Sequence, residues 1–173
     1  MSELNVNPED IEFGAPSARR RLIQRRLPSR ASAINEYQVA MLIGCARLLC
    51  GAALKRFEVP DASRLREVDH EAFVELLEYD LFIKGAYACG FVCRDISLDI
   101  NLELINSAPS AYVREWGLYE IRAYFHNLLR SERWGFGYSS PILTAMRSGA
   151  LMSVVDRLAD DATLYEDISD VAS

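Results

Sequence analysis

The chain has 173 residues, half of them hydrophobic and a quarter charged, with a formal charge of -6. That composition is globular, and the length suits one domain with its own core. The first fourteen residues carry Glu3, Glu9, Asp10 and Glu12 and no apolar h-region, which argues against a secretory signal and a mitochondrial presequence. Residues 1–16 read as a polar arm ending in "GAP". Ser17 is placed to cap a short helix that Leu27-Pro28 ends, so residues 1–31 form an N-terminal arm.

A helical domain over residues 32–160 follows. Its first expected helix runs from about Ala33 to Phe57, with Ile34, Tyr37, Met41, Leu42, Cys45, Leu48, Leu49, Ala52 and Ala53 recurring at spacings of three and four. Apolar residues spread round it, as in a central helix. The apolar run Val39–Leu54 is 16 residues long and holds Arg47, short of the roughly 20 residues that a membrane span needs. After the break "EVPDAS", Asp69 caps a helix from His70 to about Gly85, with Phe73, Val74, Leu76, Leu77, Leu81 and Phe82 facing inward. "KGAYACGFVC" fits either a helix end or a short extended piece, and a short helix capped by Ser97 stops before Pro109. "GLYEIRAYFHNLLRSERW" is the clearest helix, with Leu118, Ile121, Phe125, Leu128 and Leu129 in one stripe. Ser140-Pro141 starts another helix that Gly149 ends, and "ALMSVVDRLADDA" is the last. Residues 161–173 form an acidic tail. The expected fold is all-α, a single-domain bundle of about five to seven helices around a long apolar one.

Charge is segregated. Arg19 to Arg56 nets +8, Phe57 to Glu103 nets -7, and Asp156 to Asp170 nets -5. Such blocks can satisfy each other within a molecule or across a dimer. The segment "YEIRAYFHNLLRSERWGFGYSSPILTAMRSGALMSVVDRL" resembles the C-terminal part of a group of small uncharacterised bacterial helical proteins, on Arg130, Arg133, Trp134, Gly137, Ser148, Gly149 and Leu151. The resemblance implies a helical fold and carries no function.

Candidate chemistry is sparse. Cys45, Cys50, Cys89 and Cys93 could in principle supply a tetrahedral zinc site, but Cys45 and Cys50 point about 140° apart on a helix. Free core thiols in a reducing cytoplasm are the expectation, with no metal and no cofactor. His70, between Asp69 and Glu71, reads as a solvated residue beside acids. Arg122, His126, Arg130 and Arg133 fall on one side of their helix, a candidate anion-binding ridge or a salt-bridged flank. No nucleophile motif or phosphate loop is present. "SPILTAMRSGALMSVVDRL" resembles two helices about a turn, but Asp156, Asp160 and Asp161 exclude a DNA-reading helix there.

The most distinctive stretch is "SARRRLIQRRLPSR", with Arg19, Arg20, Arg21, Arg25, Arg26 and Arg30 and no acid. Arginine suits bidentate contacts to carboxylate and phosphate. These observations point to a non-catalytic macromolecule-binding protein of immunity, inhibitor or accessory-subunit type. It is expected to be cytoplasmic, bacterial or phage, and to bind another protein, or a second copy as a homodimer, but no membrane. One alternative is a nucleic-acid-binding subunit that uses the arginine arm and the ridge. Another is an enzyme centred on His126 with Glu120 or Glu132.

Overall fold

The computed structural model describes residue 34 and residues 36–92, 100–134 and 139–160. Every regular element among them is helical: α1 (Glu36–Arg56), a 3-10 helix (Ala62–Glu67), α2 (His70–Val74), α3 (Leu77–Ala88), α4 (Leu102–Ser107), α5 (Pro109–Val113), α6 (Leu118–Trp134), α7 (Pro141–Arg147) and α8 (Ala150–Asp160). The chain is thus an all-α bundle with one long apolar helix. The arginine arm, Ser97, Cys93 and the acidic tail lie outside the described residues.

α1 spans 21 residues because polar residues extend the apolar run at both ends, Glu36 in its first turn and Lys55 and Arg56 in its last. Each sign complements the helix dipole. Among the described residues it is the one helix long and apolar enough to cross a membrane. Its Val39, Leu42, Ala46, Leu49 and Ala53 are buried in the protein core. It ends in a Schellman pattern: the Val59 N–H donates to the Leu54 carbonyl at 3.1 Å and the Glu58 N–H to Lys55 at 3.4 Å. Glu58 adopts φ 52° there, a left-handed conformation that costs a non-glycine residue about 1–2 kcal/mol. Pro60 follows. Asp61 then caps the 3-10 helix by accepting the Ser63 N–H at 2.9 Å.

The helix expected from His70 to Gly85 is two helices. Asp69 caps the first through the Glu71 N–H, and Leu76 (φ -63°, ψ 130°) breaks the run before α3 begins. This break re-aims the apolar residues. Phe73 and Phe82 enter the core, with Phe73 edge-on to Tyr79 at 5.4 Å, whereas Leu77 and Leu81, expected inside, are 68% and 44% exposed. Asn101 caps α4 by accepting the Leu104 N–H, and Pro109 starts the separate one-turn helix α5. α6 begins on Gly117, whose N–H donates to Glu120 at 2.9 Å, the return half of a capping box.

α1 packs against α3 and α8; α7 packs against the 3-10 helix, α6 and α8; α5 packs against α8. Gly85 permits the α1–α3 approach, since a Cβ there would lie 3.2 Å from the Cys45 Sγ. Phe82, Phe91 and Tyr124 surround Phe125 in the core. The Arg147 Nε donates to the Leu65 carbonyl at 2.7 Å and ties α7 to the 3-10 helix. The exposed Arg47–Asp156 pair, 3.2 Å apart, joins α1 to α8 and contributes about 0–1 kcal/mol.

α7 passes into α8 at Gly149, which adopts φ 79°. A Cβ there meets no atom within 4 Å, so the cost of Gly149→Ala is backbone strain alone. A loss of about 1–2 kcal/mol is expected in urea unfolding. An unchanged midpoint would mean that the turn adjusts without strain.

Candidate functional site

The residues that sequence reasoning singled out are dispersed by the fold. Arg19, Arg20, Arg21, Arg25, Arg26 and Arg30 lie outside the described residues. Of the four ridge residues, Arg130 and Arg133 are exposed. Arg122 turns inward and donates from its Nη2 to the Gly90 carbonyl at 3.0 Å, at the end of α3. His126 is buried, and its Nδ1 has no hydrogen-bond partner. Burial, and after it the Arg130 guanidinium, hold its pKa below the ordinary histidine value. The folded state therefore favours the neutral ring. Its contribution to stability is present at neutral pH and is lost as pH falls below about 6.5, where the unfolded chain takes up a proton.

Glu120 and Glu132, weighed beside His126, are both engaged at helix starts. Glu120 serves its own helix. Glu132 is the centre of a buried polar cluster. It accepts the Tyr79 hydroxyl at 2.9 Å and the Ser140 hydroxyl at 2.6 Å on Oε1, and the Ile142 N–H at 2.9 Å on Oε2. The His70 Nε2 stands 3.8 Å from Oε1, so His70, read as a solvated neighbour of Asp69 and Glu71, instead faces an acid from α6.

The cluster completes the start of α7. Pro141 has no N–H to satisfy. Ile142 donates to Glu132, Leu143 to the Ser140 Oγ at 3.0 Å, and Thr144 to the Ser140 carbonyl at 2.9 Å. The three N–H groups of residues 142–144 are thus all accounted for. Burial, then the charge and hydrogen bond of Glu132, push the Tyr79 pKa far up, so its phenol keeps the proton it donates. A carboxylate carrying three internal donors is occupied by the fold on both of its oxygens. Ser140 was legible as a cap; its second bond, to Glu132, has no local signature.

The three described cysteines are free. Burial, then Asp156, pushes the Cys50 thiol up to about 11, and burial also raises Cys89. Both are protonated, poor nucleophiles at neutral pH. Among the described residues, no group of three or more His, Cys, Asp or Glu is arranged to hold a metal ion.

The open feature is apolar. α1 leaves Tyr37 75% and Leu48 61% exposed, on the side opposite its core residues. On α3, Leu77, Leu81 and Ala88 lie within about 80° of Gly85, the residue that meets α1. The two helices thereby present neighbouring apolar edges. Sequence reasoning missed this face, because every one of its large residues was assigned to the core.

No family model matches the chain, and no curated protein or solved structure matches it.

Proposed function

We propose that this protein works by binding another polypeptide, as an inhibitor, immunity or accessory-subunit protein does, and not by catalysis. The observation that carries this reading is the exposed apolar face of α1 and α3, with Tyr37, Leu48, Leu77 and Leu81 in solvent. Full burial of one such side chain is worth about 1.5–3 kcal/mol, so covering several gives a partner ample drive. Glu120 and Glu132, weighed for catalysis, are instead committed to helix starts, and His126 to the core. The arginine arm is a second contact for an acidic partner surface.

Native mass spectrometry of the protein purified from its host, before and after nuclease treatment, tests the reading. A nuclease-resistant complex of two or more polypeptides with a fixed mass is expected. The double variant Leu48→Glu/Leu77→Glu should lose that complex while its circular dichroism stays helical. A lone polypeptide, or a complex that nuclease removes, would overturn the reading and favour the nucleic-acid alternative through the arginine arm.

A further inference from the structure

α1 carries two apolar sides. One, with Val39, Leu42, Ala46, Leu49 and Ala53, is buried against the rest of the domain. The opposite side carries Tyr37, Met41, Gly44, Leu48, Gly51 and Lys55, at spacings of four, three, four, three and four; Met41 and Gly44 are half-buried, Met41 touching the edge of the core, and the other four are exposed. These six positions fall within a sector of about 80°. A repeat averaging 3.5 residues is the seam of a coiled coil, in which each residue inserts between residues of a facing helix.

The glycines in this seam have no internal cause. A Cβ on Gly44 or Gly51 would meet nothing within 4 Å, whereas one on Gly85 would press on Cys45. Glycine inside a helix costs roughly 0.5–1 kcal/mol relative to alanine, so two within one helix disfavour it with no return inside the domain. They leave two outward hollows between three large side chains.

A second α1, laid antiparallel with its twofold axis at the level of residue 46, fits those hollows. Leu48 of each copy then faces Gly44 of the other, Met41 faces Gly51, and Tyr37 faces Lys55. A large residue opposes a glycine in the inner layers, and a ring opposes an ammonium group in the outer ones. A parallel pairing would set glycine on glycine and Lys55 on Lys55, leaving gaps and repulsion. The exposed Leu77 and Leu81 on the adjoining edge of α3 widen the surface available to the partner.

We infer that the occupant of this seam is a second copy of the chain, in a symmetric antiparallel dimer built on α1. The inference rests on the polypeptide-binding reading of the same face and names its partner.

Sedimentation equilibrium of the full chain, purified alone, tests it. The wild type should be a dimer. Gly44→Leu fills the hollow that Leu48 needs and Leu48→Glu removes the knob, so both should be monomers. Both should keep their helical circular dichroism, because neither position touches the core. The double variant Gly44→Leu/Leu48→Gly exchanges the knob and its hollow, so that Leu at 44 faces Gly at 48 of the other copy, and should restore the dimer. That rescue cannot arise from a folding defect. A wild type that is monomeric at all concentrations would overturn self-pairing, as would a dimer indifferent to Gly44→Leu and Leu48→Glu. If such a monomer still binds a different protein through Leu48 and Leu77, the binding reading stands and only self-pairing falls. A monomer that Leu48→Glu destabilises would place the chain's own N-terminal residues on the seam and overturn the inference.

Discussion

Glu132→Ala should lower the stability of the fold by about 3–5 kcal/mol, the loss typical when one partner of a buried charged cluster is removed. The substitution leaves the Tyr79 and Ser140 hydroxyls and the Ile142 N–H without their acceptor. An unsatisfied buried donor costs about 1–3 kcal/mol, and three lose their acceptor together. Ser140 also caps α7 through the Leu143 N–H, so the start of that helix loses two supports at once. Urea unfolding followed by circular dichroism measures the effect. Glu132→Gln, which retains one carbonyl oxygen, should recover part of the loss, and Tyr79→Phe should cost only about 1 kcal/mol. If Glu132→Ala unfolded at the wild-type midpoint, the carboxylate would be free of structural duty and a catalytic role for it would regain weight.

Phe125→Ala should cost about 3–5 kcal/mol. Its ring is fully buried and meets Phe82 at 6.3 Å, Phe91 at 5.6 Å and Tyr124 at 5.6 Å between centroids, all edge-on. Removing it opens a cavity where α3, α6 and the segment after α3 converge, and a packed interior closes such a space only in part. Phe125→Leu should cost distinctly less. Near-ultraviolet circular dichroism should weaken in the alanine variant, because Tyr124 loses a fixed neighbour. A wild-type midpoint for Phe125→Ala would mean that the rings are not the centre of the core.

Elements whose signals lie close together in the chain were readable. α6 carries its stripe at helical spacing, and Ile121, Phe125, Leu128 and Leu129 are all buried as read. Asp69, Ser140, Pro141 and Gly149 mark helix boundaries because a cap acts within three residues of its donor. The break at Leu76 carried no such mark. Glu75, Leu76 and Leu77 are compatible with helix, and the break shows itself only in which side chains are buried.

The Glu132 cluster was unreadable for a different reason. Tyr79 and Glu132 are 53 residues apart, and no local pattern encodes a hydrogen bond across that separation. Glu132 was weighed with His126, its neighbour along α6, although the histidine that approaches it is His70 from α2. The ridge divided likewise: helical angle alone grouped Arg122, His126, Arg130 and Arg133, but α3 receives Arg122 through the Gly90 carbonyl and the core takes His126.

Residue order alone thus determined that the chain is helical, where most helices start and stop, and that α1 is long and apolar. Periodicity and capping are local, and both survive in a single stretch of chain. Which apolar side of α1 is covered was decided by the packing of α3 and α8 against Leu42, Ala46 and Leu49. Hydrophobic burial is non-directional and follows the area removed from water, so a helix apolar on two sides does not choose between them. Its neighbours made that choice, and they left Tyr37, Gly44, Leu48 and Gly51 facing outward.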